Sequence, residues 1–246
     1  NTGGVFGHIF DFTGIPVAGR AIIALVACII LTTVFASIAG FFMAKYKMHP
    51  FISTMANMLI IFGIVTYATK GVSFGAIEPV IPNMIIPKVN GFPTIIIWAV
   101  AAIAIVWFIW NKTTFGKNLY AVGGNPEAAS VSGISVFKVT MGAFILAGIL
   151  YGFGSWLECA RMVGSGSAAY GQGWDMDAIA ACVVGGVSFT GGIGKISGVV
   201  TGVLIFTSLT YSLTILGIDT NLQFIFEGII ILAAVTLDCL KYVQKK

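Results

Sequence analysis

Few side chains in this sequence could do chemistry, and their settings differ. Glu227 sits inside a long apolar run, Leu222 to Leu240. A carboxylate there is costly to desolvate, so it relays a proton, faces a polar vestibule, or takes up a proton and a helix partner. Trp174, Asp175 and Asp177 follow a loop rich in Gly and Ser. Carboxylates and an indole face suit hydroxyl-rich ligands, through hydrogen bonds and stacking on C–H faces. The same acids need no such role if they merely open a helix, and Asp177 reads first as a cap. Nucleotide hydrolysis within the chain is excluded. A phosphate loop needs Gly-Lys followed by Ser or Thr, with a further Gly five residues before the paired one. Lys195 is followed by Ile196, and Phe189 holds the distal position; Lys117 is followed by Asn118, and Asn111 holds it. The four cysteines, Cys28, Cys159, Cys182 and Cys239, are dispersed, with no CxxC and no Cys/His cluster. They read as small apolar residues, and no metal or cofactor site is expected.

The polar stretch Asn111 to Lys138 is ordered differently. Gly123 and Gly124 end whatever precedes them, Asn125 can cap, and Pro126 fits a first helical turn. Glu127 favours a helix amino end, Ala128 and Ala129 continue it, and Gly133 can stop it. A short surface helix is predicted. It either docks in a groove of a soluble partner and passes motion to the rest of the chain, or is a solvated connector.

The elements that position these residues follow from composition. Of 246 residues 58% are apolar and 9% charged, against about 45–50% and about 25% in a soluble domain. So few charges cannot clothe a water-soluble surface, and the expected fold is an all-α integral membrane protein. Apolar runs predict spans at 21–44, 51–69, 94–110, 139–157, 198–216 and 222–240, each near the length that crosses a core of roughly 30 Å. The run Ala178 to Gly192 is shorter and carries Gly185, Gly186, Ser188, Gly191 and Gly192. It is either a kinked packed helix or a broken seventh segment lining a path, because irregular backbone at membrane depth survives only where protein buries it or a cavity meets it. Asp177, Gly185, Gly186, Ser188 and Glu227 are the candidate path residues. Gly194, Gly198 and Gly202, like Gly148 and Gly152, recur at the four-residue spacing that lets helix backbones approach.

Seven crossings put the termini on opposite sides. With a cytoplasmic carboxyl end, Lys45, Lys47, Lys112, Lys117, Lys138, Lys195, Lys241, Lys245 and Lys246 lie inside, and Arg20, Lys70, Lys88 and Arg161 outside. That bias obeys the positive-inside rule. The basic residues form no stripe, so the net charge of +4 does not indicate a nucleic-acid partner.

Glu127-Ala128-Ala129 with Gly133 four residues later resembles the EAA loop of permeases in binding-protein-dependent ABC importers. The run TFGKNLYAVGGNPEAASVSGI (Thr114 to Ile134), the run DAIAACVVGGVSFTGGIG (Asp177 to Gly194) and the ending LDCLKYVQKK are similar to the ribose and galactoside type of sugar permease, nearest its galactose/methyl-galactoside branch. The resemblance implies one permease domain of type II importer architecture over 1–246 and a permease homodimer in the lipid of a bacterial inner membrane. It further implies a cytoplasmic ATP-binding subunit and an extracytoplasmic sugar-binding protein. Asn125, Pro126, Glu127, Ala128, Ala129 and Gly133 would form the helix that meets the ATPase. Family members begin with further helices and an Asp-Leu-Ser motif. This chain opens at Asn1 without them and is expected to be the latter part of such a permease. The competing classes are an ion-gradient carrier with Glu227 as coupling carboxylate, a permease for ribose, xylose or another sugar, and a membrane scaffold without transport.

Overall fold

A computed structural model describes residues 16–72, 80–89, 92–162, 166–167, 169–188 and 190–243. The expectations about the first residues of the chain, and those on Lys245 and Lys246, lie outside these. Ten helices occur among the described residues: α1 (Val17–Tyr46), α2 (Pro50–Thr69), α3 (Val80–Ile85), α4 (Ile95–Lys112), α5 (Thr114–Gly124), α6 (Pro126–Val131), α7 (Val136–Met162), α8 (Trp174–Val184), α9 (Ile196–Ile215) and α10 (Thr220–Val243). Two-residue strands β1 (Lys88–Val89) and β2 (Phe92–Pro93) pair antiparallel in the proline-rich connection before α4. The chain divides into two compact units, one from Asn1–Ala102 and Ser135–Tyr170, the other from Ile103–Ile134 and Gly171–Lys246.

Among the described residues, α1, α2, α4, α7 and α9 are long and apolar enough to cross a membrane, by length and composition. The sequence predicts seven segments, and the remaining two differ in kind. Ala178 to Gly192 is broken at its glycines: α8 begins earlier, at Trp174, and stops at Val184, and turns and irregular backbone follow at 185–188 and 190–195. The glycines of that run terminate a helix instead of kinking one. The last segment is the 24-residue α10, whose apolar portion is Leu222–Ala233. Helix length and composition therefore give five candidate spans among the described residues, against the seven segments that the sequence predicts.

In the first unit α7 lies along α1 at backbone distance. A methyl group on Gly148 would stand 2.6 Å from the Thr33 Cα, and one on Gly152 would stand 2.5 Å from the Ile29 Cα. In lipid, where apolar side chains gain little by leaving the solvent, such close approach is what holds helices together. The Thr32 hydroxyl donates to the Gly148 carbonyl at 2.7 Å across the same contact. Polar side chains fasten α2 to α1 in the same way, Ser53 donating to the Ala39 carbonyl and Asn57 to that of Phe35. At the other end of α7, Ala21, Ile85, Leu157 and Ala160 form a small core. Trp98, Phe153 and Trp156 pack beside one another there, and the two indoles donate to the carbonyls of Ile85 and Ala21. Lys45 lies over the rings of Phe41 and Tyr46 where α1 ends, an apolar stem with a charged tip suited to a membrane boundary.

The second unit is built on α8, α9 and α10. A methyl on Gly202 would lie 2.0 Å from the Ala181 carbonyl oxygen, and one on Gly198 2.2 Å from that of Gly185. The four-residue glycine spacing of α9 is thus a seam against α8. Gly194, the third member of that pattern, precedes α9 and faces the Val187 side chain instead. Ala180, Ala181 and Phe206 are buried beside the seam, with Ile230 and Ile231 of α10 packed on them.

Candidate functional site

The polar stretch that the sequence singles out is two helices set at a corner. α4 ends at Lys112, which lies over the Trp107 ring, and Thr113 then caps α5 by accepting from the Gly116 N–H. A Cβ on Gly116 would sit 2.1 Å from the Trp110 carbonyl oxygen, so the corner closes only with glycine there. The polar composition of 111–138 predicts loop before Asn125, and the structure forms α5 there instead. The signals for it are Thr113 in a cap position and apolar Phe115, Leu119 and Val122 at helical spacing.

At the end of α5, Asn125 turns to extended backbone (φ −155°, ψ 101°), and its side-chain oxygen accepts from the N–H groups of Glu127 and Ala128, both at 3.0 Å. Asn125 therefore ends one helix and caps the next, as the residue order predicts, with Pro126 in the first turn. Gly133 stops α6 in the left-handed region at φ 83°. Its N–H donates to the Ser130 carbonyl and that of Ile134 to the Ala129 carbonyl, the paired bonds of a Schellman ending. Ala129 is buried. Glu127, Ala128 and Ser130 are exposed, and Val131 is 91% exposed.

The second glycine-rich run is folded by the same device. Gly186 (φ 80°) donates to the Val183 carbonyl and Val187 to that of Cys182, a Schellman ending for α8. The Ser188 N–H donates to the Ile193 carbonyl at 2.9 Å, while the Ser188 and Thr190 hydroxyls hydrogen-bond to each other. Ser188 is buried by the turn it helps to form.

These two turns meet. A methyl on Gly191 would lie 2.6 Å from the Gly123 carbonyl oxygen, one on Gly192 2.6 Å from the Gly124 Cα, and one on Gly123 2.8 Å from the Gly192 nitrogen. The Tyr120 hydroxyl donates to the Gly194 carbonyl at 2.7 Å beside them. Backbone thus rests on backbone at the end of α5, next to the shared Asn125 cap. A cavity of about 310 Å³ adjoins the junction, walled by Trp110, Tyr120, Cys182, Val187, Ile193 and Val199. A neighbouring cleft of about 600 Å³ is more polar, with Trp107, Asn111, Lys195 and Ser197 on its walls.

The predicted path residues are not gathered in one place. Gly185, Gly186 and Ser188 lie at the end of α8 near the junction. Asp177 lies in its first turn, about 14 Å away at 1.5 Å per residue, and Glu227 lies on α10, which packs against α8. Asp177 does not cap α8. Gly173, in left-handed conformation at φ 90°, holds that position, and Asp175 and Asp177 follow it in the first turn. Sequence reasoning missed Tyr120 altogether, since a lone tyrosine in a polar stretch carries no signal of its distant partner. Among the described residues no group of His, Cys, Asp and Glu could hold a metal ion.

Residues 5–235 match the family described as branched-chain amino acid transport system / permease component. The chain is 53% identical over 246 residues to a galactose/methyl galactoside import permease of Treponema pallidum, covering 96% of this chain and 46% of that protein. It is 43% identical over 234 residues to the Escherichia coli permease of the same description, covering 92% and 69%. Identity to the Escherichia coli L-arabinose transport system permease is 37%, over 84% of this chain and 62% of that one. The chain thus spans from about half to about two thirds of the length of these relatives. No solved structure matches.

Proposed function

Because the chain belongs to the branched-chain amino acid transport system / permease component family, we propose that it is part of the membrane-spanning subunit of an ATP-driven importer for galactose or methyl galactoside. Both units belong to one permease domain. It is not itself a catalyst: hydrolysis takes place on a separate cytoplasmic ATP-binding subunit, and a soluble sugar-binding protein delivers the substrate from outside. The domain works as a homodimer in a bacterial inner membrane, with its carboxyl end cytoplasmic, as the distribution of lysine and arginine supports. Galactose is preferred to ribose, xylose or arabinose because the relatives with the highest identities carry galactose/methyl galactoside descriptions.

The single observation that carries this reading is α6. It is a six-residue helix capped at both ends, with one buried alanine and an outward face of Glu127, Ala128, Ser130 and Val131. A solvated connector has no need of two full caps, or of a nearly fully exposed valine. A groove on a soluble partner would cover that face and leave the caps intact. Asn125, Pro126, Glu127, Ala128, Ala129 and Gly133 then form the element that meets the ATP-binding subunit, and α8 with Asp177, its following turn with Gly185, Gly186 and Ser188, and Glu227 of α10 flank the sugar path.

The test uses the full-length protein with its partners in vesicles. Uptake of labelled galactose should require ATP and the binding protein and persist when an uncoupler abolishes ion gradients. Loss of uptake with the uncoupler while ATP is maintained would replace this reading by a gradient-driven carrier using Glu227. Glu127→Arg should weaken association of the ATP-binding subunit and reduce uptake together. Unchanged association and uptake would remove α6 from the coupling role.

A further inference from the structure

We infer that Tyr120 and the four-glycine junction beside it transmit movement of α6 into α8 and α9, with Tyr120 as a positioning residue for coupled transport. This rests on the reading of α6 above and names the route by which its motion leaves it. The first link is Asn125, which joins both helices: its N–H donates to the Ala121 carbonyl of α5, its carbonyl accepts from the Ala129 N–H of α6, and its side-chain oxygen accepts from the N–H groups of Glu127 and Ala128. A tilt of α6 therefore acts on the end of α5. There the chain has no side chains to yield: Gly123 and Gly124 touch Gly191 and Gly192 through main-chain atoms. Side chains can rotate away from a push, whereas main chain in contact passes it on.

The Tyr120 hydroxyl, donating to the Gly194 carbonyl at 2.7 Å, supplies the pull that a contact alone lacks. A contact transmits compression only. With a hydrogen bond across it, the α5 end and the turn also move together when α6 is drawn the other way. Beyond the turn, Gly185 touches Gly198 and Ala181 touches Gly202, again through backbone, so the displacement enters the α8–α9 seam without loss to side-chain rearrangement. The length of the route is short and each link is a named pair of atoms.

Tyr120→Phe removes the hydroxyl, keeps the ring in the cavity wall, and leaves the outward face of α6 untouched. Gly123→Ala instead wedges the junction apart. Tyr151→Phe removes an exposed hydroxyl from α7 and serves as the control. The complete complex of full-length permease, ATP-binding subunit and binding protein is reconstituted in vesicles, and galactose uptake and phosphate release are measured together. Tyr120→Phe should retain the ATP-binding subunit and its stimulated hydrolysis, yet move roughly fivefold fewer sugars per phosphate, the scale set by loss of one neutral hydrogen bond. Gly123→Ala should change the ratio in the same direction, and Tyr151→Phe should not change it. A wild-type ratio in Tyr120→Phe overturns the inference. So does loss of folded protein or of the ATP-binding subunit in that variant, which would make Tyr120 a residue of stability or assembly. Failure of the wild-type complex to couple ATP to galactose uptake would instead defeat the functional reading itself.

Discussion

Gly152 and Gly154 lie two residues apart in α7 and differ in one respect. A methyl on Gly152 meets the Ile29 Cα at 2.5 Å and the Ile29 nitrogen at 2.7 Å, whereas nothing lies within 4 Å of a methyl on Gly154. Alanine at either position gains about 0.8–1.0 kcal/mol of helix propensity. At Gly154 that gain stands alone, so Gly154→Ala should be stabilising by about that amount. At Gly152 the helices must separate by about 0.9 Å, from 2.5 Å to an ordinary contact of 3.4 Å. That separation also stretches the Thr32 to Gly148 hydrogen bond one turn away. Overpacking of this kind costs about 1–3 kcal/mol, which is also the expected difference between the two variants. For a chain of this size it corresponds to a midpoint of thermal unfolding about 2–12 °C lower for Gly152→Ala than for Gly154→Ala. The assay is thermal unfolding of the full-length protein in one detergent, followed by circular dichroism or tryptophan fluorescence. Equal midpoints for the two variants would refute the claim that α1 and α7 are held by backbone approach.

Asn125→Ala should free the N–H groups of Glu127 and Ala128 and raise their hydrogen exchange roughly fivefold, as expected for loss of a cap worth about 1 kcal/mol; unchanged exchange would contradict the cap. Gly133→Ala forces a side chain into the left-handed region, at a cost of about 1 kcal/mol, and should fray α6 from its other end in the same measurement. The Tyr170 phenol donates to the Glu158 carboxylate, and this bond, more than burial, raises its pKa above the usual tyrosine value. The associated stabilisation is full below the ordinary tyrosine pKa and fades as pH rises through the raised one. In an ultraviolet titration Glu158→Gln should bring one tyrosine back toward its ordinary range, and an unmoved titration would sink the assignment. The Arg161–Glu158 pair itself, with the arginine side chain 53% exposed, should contribute no more than about 1 kcal/mol.

Much of the candidate site was legible because its signals are local. A helix cap is decided within four residues, so the order Asn125, Pro126, Glu127, Gly133 was enough to place α6 and its two ends. The same holds for the spans: apolar runs bounded by lysines, prolines and glycines place five membrane-length helices within a few residues. What the residues left open is also local in origin. Ala178 to Gly192 reads as one apolar run because composition does not distinguish glycines that bend a helix from glycines that end one, and the backbone turn at Gly186 decides the matter. Asp177 reads as a cap because carboxylates commonly are, but Gly173 four residues earlier takes the position in a conformation open to glycine, and Asp177 opens the helix from its first turn.

By itself, then, the sequence determined an all-helical membrane chain, the helix at Pro126–Val131 and the permease family to which its runs of residues correspond. Only the tertiary structure decided that Gly123 and Gly124 rest on Gly191 and Gly192, with Tyr120 bonded to Gly194 across 74 residues of chain. A helix cap and a hydrophobic run are written into neighbouring residues, where their energies arise. Contact between two glycine turns leaves no side-chain pattern in either, because the feature that permits it is the absence of side chains.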